Sequence, residues 1–112
     1  MKEFLFLYRA EGRTGSPEQM QQQMQKWMAW MKDLGEKGHI KDHGQPLDLA
    51  GKVVGPSAVT DGPYAETKDL ILGYTLILAN DLDQAAELAG GCPIVVGAGG
   101  VVEVRPVLAM NM

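Results

Sequence analysis

A chain of 112 residues, 46% of them hydrophobic, is the size of one globular domain spanning residues 1–112, with room for one core and no second. Its formal charge of −4, from 14 acidic and 10 basic residues, leaves no electrostatic footprint for nucleic acid or an anionic membrane. The single cysteine excludes an intrachain disulfide and any multi-cysteine zinc site, and no apolar run is long enough to cross a bilayer. Met1-Lys2 leads straight into a strand pattern with no cleavage signal, so the expected location is cytoplasmic.

Lys2 to Tyr8 alternates Phe4, Phe6 and Tyr8 with Leu5 and Leu7, a strand apolar on both faces and therefore central. A polar loop follows. Ser16-Pro17-Glu18-Gln19 is a helix start, with Ser16 as N-cap, Pro17 at the first helical position and Gln19 completing a capping box. Met20, Met24, Trp27, Met28, Met31, Leu34 and Gly35 recur at helical spacing and are expected to face the core, with Trp30 on the flank. Gly38 supplies the C′ stop.

If residues 39–48 are extended, His39, Lys41 and His43 point one way and Ile40 and Asp42 the other, and Gly44-Gln45-Pro46 interrupts the pattern. Two histidines four apart on a strand cannot reach one ion, and the chain has no third, so no metal site is expected. Leu47 to Val54 reads as a strand bent near Gly51, and Ser57 to Thr60 as a short strand.

Asp61-Gly62-Pro63-Tyr64-Ala65-Glu66-Thr67-Lys68 packs three ionisable side chains, beside Tyr64, into a segment that has no helical face. Pro63 lacks an N–H and biases Gly62 away from the α region, so the chain is expected to turn there before the long apolar run Asp69 to Ala79. Polar groups on a loop held at the mouth of a buried strand are where binding and catalysis are commonly placed. The structural alternative is a β-turn in which Asp61 caps a backbone N–H while Glu66 and Lys68 form a solvated pair. Beyond it, Asp81 and Gln84 open a second helix, whose expected apolar face is Leu82, Ala85, Ala86, Leu88 and Ala89 and whose stop is Gly90-Gly91. Cys92 reads as a small structural residue, Ile94-Val95-Val96 as a short apolar piece, Gly97 to Gly100 as a hairpin connection and Val101 to Val107 as the closing strand, with Glu103 and Arg105 on one face.

The octet resembles the signature of the YCII-related family, in particular its DGPF branch. Tyr64 stands at the aromatic position, Asp69 replaces the usual Glu, and Gly73-Tyr74 supplies the Gly-aromatic step. The likeness runs colinearly through Asp81-Leu82-Asp83, Cys92-Pro93 and Val102 to Pro106. The resemblance implies a dimeric α/β barrel holding a small-molecule pocket, and a tendency to occur beside transcription sigma factors. It also implies a site built from a first-helix histidine and an aspartate. Residues 17–37 contain no histidine here, which leaves Asp61 as the acid member.

From the residues alone, the element order predicts an α+β fold, a ferredoxin-like split βαβ with an added hairpin, an antiparallel sheet and two helices on one face. Two helices cover one face only, while both central strands are apolar on both, so a homodimer with sheets packed face to face is expected. Tyr8, Arg9, His43, Tyr64 and Tyr74 are candidates to bind a ligand. Asp61 or Glu66, desolvated beside Tyr64 and Tyr74, is the candidate general base, and Lys68 the group that holds the substrate or steadies developing negative charge. That chemistry would be cofactor-free, on a small polar or aromatic compound. A non-catalytic ligand-binding or regulatory dimer is the alternative, and a structural octet, with Lys68 pairing across the dimer interface, is the third.

Overall fold

The computed structural model describes residues 1–11, 15–62, 70–97 and 99–110. Along the chain run β1 (Lys2–Ala10), α1 (Pro17–Glu36), β2 (Ile40–Asp42), β3 (Gly51–Val54), β4 (Val59–Gly62), β5 (Leu70–Ala79), α2 (Leu82–Ala89), α3 (Pro93–Gly97) and β6 (Val101–Pro106). The fold is α+β. Four strands form an antiparallel sheet in the order β2-β5-β1-β6, and β3 and β4 pair separately as a hairpin.

β1 is central, as its two apolar faces require. It pairs with β5 on one side and β6 on the other, and the register sets Leu7 opposite both Tyr74 and Glu103. Phe4, Phe6 and Tyr8 are buried on the helix side, with Ile77 and Ala79 of β5. Leu5, Leu7, Leu76 and Leu78 line the opposite face and are only half-buried.

The helix ends follow the local rules. Ser16 Oγ accepts from the Gln19 N–H at 3.2 Å, and Gln19 Oε1 accepts from the Ser16 N–H at 2.9 Å. Gly38 takes a φ of +79° just beyond the last turn of α1. Asp81 Oδ1 accepts from Gln84 N–H at 2.8 Å, while Gln84 Oε1 accepts from the Asn80 N–H at 2.7 Å.

The helix faces differ from expectation. Trp27, Trp30, Met31 and Leu34 meet the core, at the i, i+3, i+4, i+7 spacing of one stripe. Met20, Met24 and Met28 are exposed. Met28 lies about 100° around the helix from Trp27, and a four-residue repeat drifts off the stripe by about 40° at each step. Trp30 lies over the sheet: its ring stacks at 8° to that of Phe6, with centroids 6.2 Å apart. On α2, Ala85 and Ala89 are buried and Leu88 half-buried, whereas Leu82 and Ala86 face outward.

Three further departures have local causes. A third helix stands where only an apolar segment is predicted: Pro93 opens it, and the Cys92 carbonyl accepts from the N–H groups of Val95 and Val96 at 3.0 and 3.1 Å. No strand runs from Leu47 to Ala50, because Asp48 Oδ1 accepts from the Ala50 N–H and bends the chain there. Asp61 and Gly62 are in β4, opposite Lys52 and Gly51, so the strand runs two residues further than the predicted end at Thr60; the turn expected at Pro63 lies outside the described residues.

Residues 43–47 shadow β5 closely. Gly44 has φ +71°, and a Cβ there would come within 1.8 Å of the Tyr74 carbonyl oxygen, so only glycine fits. The sheet is open, ending at β2 and β6. No helix of the described residues is long and apolar enough to cross a membrane.

Candidate functional site

β1 carries two of the candidates on opposite faces of the sheet, so its alternation separates them. Tyr8 points under the helices and is 4% exposed. Its ring meets Trp27 edge-on with centroids 4.5 Å apart, and Trp30 closes it at 6.2 Å. The Tyr8 hydroxyl donates to Thr75 Oγ1 at 2.7 Å, and Thr75 in turn donates to the His43 carbonyl at 3.0 Å. Burial pushes the phenol well above its usual range, opposed by the Thr75 hydrogen bond and aided by nearby Cys92. Tyr8 is thus a neutral hydrogen-bond donor within the core. The His43 imidazole lies on an exposed residue; it is the His43 backbone that the relay holds.

Arg9 lies on the other face. Its guanidinium donates to Glu103 Oε1 at 2.6 Å, and Arg105 donates to Glu103 Oε2 at 3.3 Å. Arg9 and Glu103 are 29% and 31% exposed. The hydrogen bonds from Arg9 and then Arg105 hold the Glu103 carboxyl below the usual carboxylate range. Two guanidiniums face one carboxylate, so the cluster keeps an excess of positive charge beside Leu7 and Tyr74, which pair across the strands on this open face. At the far rim Lys41 is ion-paired with Glu3.

Asp61 stands apart, on the β3–β4 hairpin. Its carboxylate pairs with Lys52 Nζ at 2.9 Å and is 94% exposed. The desolvation expected of a general base is absent at Asp61 in the single chain. A cleft of about 540 Å³, open to solvent, is lined by Ala50, Gly51, Lys52 and Asp61. Tyr64, Glu66 and Lys68 lie outside the described residues.

Sequence reasoning missed Thr75, Lys52 and the partnership of Arg9 with Glu103. Alternation places Glu103 and Arg105 together, but only the β1–β6 register sets them beside Arg9, 94 residues earlier. Cys92 is fully buried, and burial pushes its thiol up to about 11, in keeping with a structural role. His39, just ahead of β2, is held against β5, with Nδ1 2.8 Å from the Leu78 carbonyl. Among the described residues no group of three His, Cys, Asp or Glu side chains is placed to hold a metal ion.

An uncharacterised protein of Rhizobium meliloti (strain 1021) is 42% identical over 52 residues, a match that covers 46% of this chain and 42% of that protein. The chain thus matches less than half the length of that relative. The YCII-related domain matches residues 1–111, and the chain belongs to the YCII-related family.

Proposed function

We propose that the protein is a homodimer that binds a small polar or aromatic molecule over the open face of its sheet. The observation that carries this reading is the half-buried apolar row Leu5, Leu7, Leu76 and Leu78, which no element of the described residues covers. The molecule measures 47 × 44 × 19 Å, a slab one sheet and one helix layer thick. It exposes 8048 Å². A compact monomer of this mass would expose about 6,000 Å². The excess is well above the roughly 800 Å² that each partner buries in a standard interface.

Packing two such faces together would give the dimeric barrel of a ferredoxin-like split βαβ, of which the strand order β2-β5-β1-β6 is supportive. It is also in keeping with the DGPF branch and with a cytoplasmic protein. The ligand would lie on Leu7 and Tyr74, with Arg9 and Arg105 supplying charge-assisted donors, which suits a small anionic or aromatic compound. Non-catalytic binding is favoured over acid–base chemistry at Asp61, because its exposed carboxylate is already paired with Lys52.

Sedimentation equilibrium tests the assembly: the native protein sediments as a dimer at micromolar concentration, and Leu7→Glu sediments as a monomer. A native monomer overturns the reading. Ligand-observed NMR with a panel of small aromatic carboxylates, benzoate included, tests the site. Binding should be lost in Arg105→Ala at unchanged melting temperature; a panel with no binder at millimolar concentration sinks the proposed ligand class.

A further inference from the structure

The β3–β4 hairpin is not accounted for by its own protomer. It has four cross-strand pairs, from Gly51 opposite Gly62 to Val54 opposite Val59, and its turn is closed by the Gly55 N–H donating to the Ala58 carbonyl at 2.7 Å. Among the described residues no third strand joins it, and no helix or strand of the main body packs against it with more than glancing contact. A two-stranded hairpin of this kind is marginal in water by itself. Strand alternation places Lys52, Val54, Val59 and Asp61 on one face, and that face is bare: Val54 is 75% exposed and Val59 60%.

The molecule is also more extended than a compact one. The radius of gyration is 15.4 Å, against about 13 Å for a compact chain of this length. An arm that departs from its own sheet and exposes valines together with an ion pair is shaped to lie on something apolar with charges at the rim.

We infer that the hairpin is an intersubunit arm: Val54 and Val59 pack against a second copy of this chain, and Lys52 and Asp61 are carried to the edge of that copy's sheet face. This rests on the dimer proposed above. A second copy suits the arm because the sheet face offers what the hairpin face needs. It has an apolar centre with the Glu3–Lys41 pair at one rim and, at the other, the Arg9–Glu103–Arg105 cluster, whose excess positive charge suits the Asp61 carboxylate. The excess surface of the protomer is large enough to include the arm as well as the sheet. The cleft beside Lys52 and Asp61, walled on one side by the hairpin, gains its second wall from the other subunit. The ligand face proposed above is then complete only in the dimer, where the hairpin of one chain walls the rim of the other's sheet.

Two measurements test the arm. Val54→Thr/Val59→Thr keeps β-branched side chains in both strands and removes apolar surface, so the protomer's own packing is barely touched. The dimer dissociation constant, from sedimentation equilibrium, should rise about tenfold or more, equivalent to about 1.4 kcal/mol. A dissociation constant equal to that of the native protein overturns the arm. In the second measurement, Val59→Cys is labelled with benzophenone maleimide, the fully buried Cys92 being shielded, and irradiated. A covalent product of twice the chain mass is expected. A product that is only intrachain places the hairpin on its own sheet and overturns the inference. The Leu7→Glu variant separates the two proposals: if Leu7→Glu is monomeric while Val54→Thr/Val59→Thr dimerises as tightly as the native protein, the sheet interface stands and the arm falls. If the native protein is itself monomeric, both fall.

Discussion

The two faces of the four-stranded sheet are built from the same strands, one residue out of phase. Phe4, Phe6, Tyr8, Thr75, Ile77 and Ala79 pass beneath α1, α2 and α3 and are sealed. Leu5, Leu7, Tyr74, Leu76 and Leu78 point the other way and stay accessible. Hydropathy does not distinguish the two rows; coverage does. A strand presents its alternate residues equally to both sides, and which side becomes core depends on where the helices land. The covered face therefore holds most of the apolar burial of the protomer, and the open face stays accessible.

That contrast can be broken most forcefully from the covered side. Phe6→Ala removes a fully buried ring stacked against Trp30 and should destabilise the protomer by about 3–5 kcal/mol, read from the urea midpoint. A loss below about 1 kcal/mol would mean that the helix layer is not the seal described above.

Thr75→Val is the next step down. It keeps the shape of the side chain but leaves the Tyr8 hydroxyl and the His43 carbonyl without their partner, so a loss of about 1–3 kcal/mol is expected. In the paired variant Tyr8→Phe/Thr75→Val part of that loss should be recovered, because the orphaned hydroxyl is gone while the His43 carbonyl still lacks its donor. An additive double variant would dismiss the relay.

Alkaline pH sharpens the comparison without mutation. Burial raises the folded-state pKa of Cys92 to about 11 and that of Tyr8 further, so folding favours the neutral forms. The contribution of Cys92 is complete below the usual thiol value of about 8.5 and is lost as pH climbs through about 11, whereas that of Tyr8 is complete below the usual phenol value of about 10 and is lost only at still higher pH. Urea midpoints should fall over that interval, and the fall should be shallower in Cys92→Ala. The open face behaves oppositely. The Glu103 carboxyl is held low, so the stability it contributes is present above the usual carboxylate range and is lost as pH falls below it. Arg9→Met should weaken that acid dependence.

Met24→Gln has the smallest expected effect. The side chain is exposed although it repeats at helical spacing, so stability should change by no more than about 0.5 kcal/mol. A larger loss would restore the methionine row to the core.

The sequence is readable wherever a local rule has one solution. The capping box at Ser16 and Gln19, the helix stop at Gly38, the cap at Asp81 and the central place of β1 all form as their residues require, since each depends on groups within a few positions of one another. The third helix escapes because Ile94-Val95-Val96 is too short for periodicity to choose between helix and strand, and the outcome lies with the carbonyl of Cys92. Asp61 reads as a turn residue because Pro63 ends a strand, yet the strand continues to Gly62, where the ladder with Gly51 needs nothing from Pro63.

The site was legible only as a collection of residue types. Alternation alone puts Tyr8 and Arg9 on opposite faces, and the single cysteine alone excludes an intrachain disulfide. Tertiary structure decided that Tyr8 is sealed beneath two indoles, that Arg9 shares Glu103 with Arg105, and that Asp61 stands on a hairpin paired with Lys52. The reason is range. Caps and strand periods act over a few residues, whereas these partnerships join positions up to 94 apart, and their geometry comes into being only when the register of the sheet is set.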